Sequence, residues 1–435
     1  MTGRITKTKM VFLYKKTPEL DYIFNFLKEK INLRGNYDIT YGKSRNTKSK
    51  IQIYQSDFWQ NYKTKSSLPK NIKEFKYKNH NIVGLFHNNK ELVEKRNNSI
   101  KINVDIIASI FFMLTRYEEY MQPELYDSTD RFPAKNSVAY KHNFLQRPVV
   151  DEYLHLLADC IEELTGEKPK IKDEFRVFTT HDVDRFLLGK NFLHRDIGAD
   201  ILVNKNFFLW PKRLANFLKS KFNYENDHLY QINNFFFENE RQFNQIHYFL
   251  VEEGNYSIYD REVLEFIEKL KKNNVTVGLH GGSSSYQDNE QLAKEKKMFD
   301  KACAFNSEEV RQHLLKFKVP KTWQAQESAG LKYDSSCCFH DAEGFRCGTS
   351  REFKVFDLAT DKVLNLVERP LVIMDATFKF YKKNLDNIFD VCKDYHKTCK
   401  KYNIPLTLLF HNRFFDYGSE DKLSEYKSLL ESFSP

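Results

Sequence analysis

No window of this chain reaches the roughly 18 consecutive apolar residues of a membrane-spanning helix. Its opening, MTGRITKTKMVFLYKKTPEL, lacks the apolar core of a secretory signal. A cytoplasmic location is therefore expected. None of the 7 cysteines forms a CxxC pair, and Cys337 and Cys338 are adjacent, poor geometry for bridging one another. They read as reduced thiols in a reducing compartment. There is no long basic block and no nucleic-acid-binding motif: the net charge of +9 is carried by dispersed lysines, so no nucleic-acid partner is expected. An anionic substrate or an anionic membrane surface suits that charge. No repeat of 20 to 50 residues is evident, which excludes a solenoid.

What is present is a globular composition. Of 435 residues, 41% are hydrophobic, with 38 Phe and 24 Tyr, enough to fill sizeable cores. Residues 1–165 alternate short apolar runs with Asn- and Lys-rich connectors and read as a small α/β domain. Helices are expected at 20–31, at 104–120 and at 149–164, the last ended by Gly166 and Pro169. Arg116, Glu118 and Glu119 read as a solvated helix end. The linker is placed at 166–174.

From 175 to 435 strand and helix alternate, which implies parallel β/α architecture, here an irregular (β/α) barrel. Strands are expected at 246–251, 275–280, 355–358, 371–375 and 405–411. Helices are expected at 260–272 and 289–303, the latter continuing through 308–317. The aromatic and basic segment at about 187–235 contains NFFLWPKRLANFLKSKF, 206–222. It reads either as a helix packed on the barrel or as a peripheral membrane contact.

Four expected strands end in polar residues: FTTHDVD in Asp182 and Asp184, VTVGLH in His280, LVIMD in Asp375, and LTLLFHN in His411 and Asn412. Strand ends converging on one barrel mouth make a site. These residue types suit metal-assisted hydrolysis. A carboxylate and an imidazole can hold a divalent ion, a second carboxylate can act as base, and a separate histidine can protonate the leaving group.

Taken together, TTHDVD (179–184), GLHGGSSSY (278–286), RQHLLKF (311–317), GLKYDSSCCFHDAEGFRCGTSREF (330–353), VIMDATF (372–378) and LLFHN (408–412) resemble the polysaccharide deacetylases of the NodB-homology type, carbohydrate esterase family four. The chain looks most like their cytoplasmic HDVD branch, behind an extra N-terminal domain of unassigned function. The resemblance implies Asp182 as catalytic base, His411 as general acid, and Asp184 and His280 as ligands of a divalent metal, zinc or another transition metal. Arg311 and His313 lie where the family keeps its site-shaping arginine motif, and Arg346, Asp375 and Asn412 are expected around the substrate. Asp375 is expected to brace Arg346 or another cation, His181 to orient the loop or a ligand from behind, and Asp334 to cap or turn the chain. The family's second metal histidine, four residues after the first, is replaced by Ser284, a weak zinc ligand, and His313 is the expected replacement.

The implied reaction removes an N-acetyl group from a sugar in a nucleotide- or lipid-linked surface-glycan precursor. The alternative is a deacetylase fold that binds such a precursor, or a biosynthetic partner, without turnover. The oligomeric state is open at this level.

Overall fold

The computed structural model describes residues 10–32, 37–42, 50–78, 80–188, 209–415 and 420–434. In the N-terminal half, strands Met10–Leu13, Tyr37–Tyr41, Ile51–Ile53 and Ser99–Ile102 form a parallel ladder, and Val93–Arg96 adds an antiparallel edge. Helix Pro18–Lys30 starts two residues before the expected position 20, because the Thr17 hydroxyl accepts from the Leu20 amide and Pro18 sits at the first helical position. Its residues Leu20, Ile23, Phe24 and Leu27 form one buried stripe. Helix Val149–Thr165 ends at Gly166, whose φ of 75° is the left-handed stop expected of a glycine.

The segment expected as one helix from 104 to 120 is two, Ile106–Leu114 and Tyr117–Met121, broken at Arg116 with φ 51°. The expected solvated end is also overturned, because Arg116, Glu118 and Glu119 are fully buried. Arg116 donates to Glu118 (2.8 Å) and Glu119 (2.9 Å), and Arg346 donates through Nε to Glu119 (2.9 Å). The charges neutralise one another across the junction of the two halves, which is what makes their burial tolerable. The apolar core follows the same path: one cluster runs from Leu20 through Ile161 and takes in Phe317, Trp323, Phe339 and Phe353–Leu366 residues of the C-terminal half.

The second sheet has nine strands in the order Phe353–Asp357, Lys362–Glu368, Tyr333–Asp334, Glu309–Gln312, Thr276–Gly281, Asn244–Leu250, Val177–Val183, Leu406–Leu409, Ile373–Met374. Every neighbouring pair is parallel except the first, a hairpin. Among the described strands no ladder joins the two edges. The opening is bridged by other means: the Gly344 amide donates to the Val372 carbonyl (3.0 Å), and Leu315, Cys338, Leu371, Met374 and Leu409 pack together.

One expectation for this half is corrected. Residues 309–312 continue no helix; they form a strand followed by a tight turn, His313–Leu315. The sequence EVRQ looks too polar for a central strand, but all four residues are buried, with the charged side chains of Glu309 and Arg311 hydrogen-bonded to groups of neighbouring elements. Strand Lys362–Glu368 and helices His228–Asn239, Ile388–Tyr402 and Glu420–Phe433 complete the half beyond what the pattern revealed. In the 187–235 segment, 189–208 lies outside the described residues. Helix Leu209–Phe222 follows, with basic residues in its last turn and Phe222 exposed.

Candidate metal centre

Parallel register sets the site. His280 lies level with Leu250 on one side and with Arg311 on the other, and Asp182 is level with Tyr248. Alternation along Val177–Val183 divides its side chains: Thr180 and Asp182 both accept from Arg311 Nη1 (2.8 and 3.0 Å), while His181 stacks on Phe236 of helix His228–Asn239. The strand therefore aims carboxylates at one face and a packed imidazole at the other.

Asp184, His280 and His313 converge so that one donor atom from each lies within 4.8 Å of the others. His280 Nε2 is 3.3 Å from Asp184 Oδ1 and His313 Nε2 is 3.6 Å from the same oxygen. His280 Nδ1 lies 2.8 Å from the Arg311 carbonyl, which only a protonated nitrogen can satisfy, so in the neutral ring Nε2 carries the lone pair; burial opposes a second proton there, and Asp182 and Asp184 outweigh it and raise the ring's pKa. His280 Nε2 and Asp184 Oδ1 are buried without a hydrogen-bond partner. Two orphaned, electron-rich atoms facing each other, with a second imidazole beside them, fit a divalent cation of the kind that takes nitrogen and oxygen ligands. Ser284 is exposed and precedes the turn Ser285–Gln287 without a side-chain capping bond. The expected substitute, His313, occupies the third position.

Glu253 was not singled out in the sequence, and it completes the arrangement. Its Oε2 accepts from His313 Nδ1 (2.9 Å), and its Oε1 accepts from the Ser283 amide (2.8 Å) and hydroxyl (2.9 Å). This fixes the His313 tautomer and turns Nε2 toward Asp184. The signal was present in VEE, 251–253, acidic residues directly after a strand.

Two further ionisable groups, Asp182 and His411, flank the three converging side chains. Asp182 is buried, which alone would raise its pKa; the charges of His280, Arg311 and His411 outweigh this and hold it below the usual carboxylate range. His411 is pulled down by burial, but Asp375, with Asp184 and Asp182 beyond, more than offsets it and pushes the imidazolium up to about 10. Asp375 accepts from both His411 Nδ1 (2.6 Å) and its backbone amide (2.8 Å), leaving Nε2 3.8 Å from Asp184. Asp182 is thus held as a carboxylate and His411 as an imidazolium at neutral pH.

The remaining expected residues fall elsewhere. Arg346 is not free for a substrate, because it is buried against Glu119 and donates to the Cys338 carbonyl (2.7 Å). Asp375 braces His411, not Arg346. Asn412 is buried and ties the Arg185 carbonyl (2.7 Å) to Asn233 (3.2 Å). His181 bridges the Phe410 carbonyl (2.8 Å) and Glu240 (2.9 Å), behind the strand end that carries His411. Asp334 accepts from the Ser336 amide (3.1 Å) and hydroxyl (2.5 Å), turning the chain after its strand.

Residues 9–166 match a family of unknown function, DUF7033. None of the curated proteins compared with the chain matches it. Among solved structures, the chain is similar to a Mycobacterium smegmatis protein assigned as a polysaccharide deacetylase (11% identity, TM-score 0.39), over 60% of this chain and 85% of that one. A Pseudomonas aeruginosa PAO1 protein with the same assignment gives 12% identity and a TM-score of 0.38 over 60% and 85%. The PuuE allantoinase gives 11% and 0.36 over 60% and 84%. No helix among the described residues is long and apolar enough to cross a membrane.

Proposed function

We propose that this chain is a metal-dependent amide hydrolase that removes an N-acetyl group from a sugar in a surface-glycan precursor, nucleotide- or lipid-linked. The observation that carries this reading is the convergence of Asp184, His280 and His313, with unpartnered buried donor atoms, between a carboxylate and an imidazole placed to move protons. Zinc or a similar ion held by those three side chains would supply Lewis acidity to a carbonyl oxygen.

The protein's own groups do the rest. Asp182, kept ionised by the neighbouring cations, takes the proton of the attacking water, and Arg311 holds its carboxylate in place through Oδ1. His411, fixed by Asp375 at Nδ1, delivers a proton from Nε2 to the departing nitrogen, without which an amine anion would have to leave. The precursor reading, as against a finished polymer, rests on a cytoplasmic location and belongs to the proposal.

The test is Asp182→Asn. Hydrolysis of N-acetylated sugars should be lost while metal content stays at the wild-type level. Turnover at the wild-type rate in this variant would overturn the assignment. Saturable sugar binding with no turnover by metal-loaded wild-type protein would replace it with a binding role.

A further inference from the structure

The family of unknown function matched by the N-terminal half supplies a turn that reaches the loops carrying the metal-site residues. Asp127 ties the turn together, accepting through Oδ1 from the Thr129 amide (2.8 Å), the Thr129 hydroxyl (2.6 Å) and the Arg131 amide (3.1 Å). Asp130, at φ 58°, is then thrown outward. Its Oδ2 accepts from the Tyr286 hydroxyl (2.7 Å), on the loop after His280, and its Oδ1 from Lys318 Nζ (3.3 Å), on the loop after His313.

Just downstream, Asp341 accepts from the Ala134 amide (2.9 Å), fixing the same segment to a third loop at this end of the sheet. The loop after His313 is also strained. Leu314 and Leu315 hold φ of 61° and 51°, a conformation costing a β-carbon-bearing residue about 1–3 kcal/mol, and such strain gathers at functional sites. Its effect is to fold Lys316 back over the Tyr286 ring, 5.3 Å from the ring centre. The Lys316 ammonium is within electrostatic reach of Asp130 and helps hold that carboxylate below its usual range, after the larger contributions of the Tyr286 hydroxyl and Lys318. Three residues from His313, Lys316 lies at most about 11 Å along the chain from that side chain's backbone.

We propose that the Asp127–Arg131 turn of the N-terminal half is the specificity wall of the site, and that Lys316, held against it, meets an anionic group on the N-acylated sugar. The inference rests on the hydrolase reading above and deepens it. It gives the N-terminal half a role in choosing the substrate, which is an acylamino sugar bearing a phosphate or a carboxylate.

The test is calorimetric titration of the zinc-loaded full chain with N-acetylglucosamine, N-acetylglucosamine 1-phosphate and N-acetylmuramic acid. Either anionic sugar should bind roughly tenfold more tightly than the neutral one, and which of them does so separates phosphate from carboxylate. That preference should vanish in Lys316→Ala and shrink in Asp130→Ala, with zinc content unchanged in both. Equal binding of all three sugars by wild-type protein, or a preference that survives Lys316→Ala, would overturn the wall alone. Failure of all three to bind would overturn both the wall and the hydrolase reading.

Discussion

Asp375 grips His411 at both its ring and its backbone, so the proton on that imidazole depends first on this carboxylate, with Asp184 and Asp182 adding to its hold. The folded pKa of about 10 lies above the ordinary 6.5. A raised pKa means that the protonated ring stabilises the fold fully below about 6.5, and that this stabilisation fades as pH climbs from there through about 10. In metal-free protein, Asp375→Asn should bring the His411 titration, followed by NMR, back toward its ordinary value and flatten that part of the stability profile. An unmoved titration would show that Asp375 is not the cause.

Glu253 acts on a ligand in the same way. Glu253→Ala should weaken zinc binding about 10- to 100-fold in a chelator competition assay, with Glu253→Gln recovering part of the loss because its amide oxygen can still accept from His313 Nδ1. Equal affinity in all three proteins would remove it from the site.

At the scale of elements, the parallel strands place these residues. Strand Thr276–Gly281 carries His280 and has almost no spare room: a β-carbon on Gly278 would come within 2.6 Å of the Tyr248 ring and 2.9 Å of Glu309 Cβ. Gly278→Ala should therefore cost about 1–3 kcal/mol in denaturant unfolding, since both neighbours are buried and cannot swing away. A change within 0.5 kcal/mol would mean that the strand shifts freely.

Much at this scale was legible. The strands ending in Asp182, His280, Asp375 and His411 announce themselves as apolar runs stopped by ionisable groups, and the helix end at Gly166 follows local chemistry. Strand Glu309–Gln312 did not, because its charged residues are paired with groups that the local sequence does not contain: Arg311 reaches Thr180 and Asp182, about 130 positions earlier, and Glu309 accepts from Arg369. Glu253 stood in plain view after its strand, but its role was not legible there because its partner His313 is 60 positions away.

The whole molecule is joined by a buried ionic cluster and a shared core. Arg116, Glu118 and Glu119 looked like a wet helix end because the cation that completes them, Arg346, stands 227 positions downstream. Glu119→Ala would leave two buried guanidinium groups short of counter-charge and should cost about 3–5 kcal/mol. Because apolar side chains of both halves pack in one cluster, calorimetry of the wild-type chain should show one cooperative transition. Two separated transitions would show that the halves unfold independently.

Asp184, His280 and His313 are proposed to hold a metal although Ser284 stands where the deacetylases that the sequence resembles keep a histidine. Zinc titration of wild-type, His313→Ala and Ser284→Ala proteins addresses it directly. One equivalent should bind the wild type and Ser284→Ala equally, whereas His313→Ala should lose at least about tenfold in affinity. Wild-type affinity in His313→Ala, or loss of binding in Ser284→Ala, would contradict the site described here.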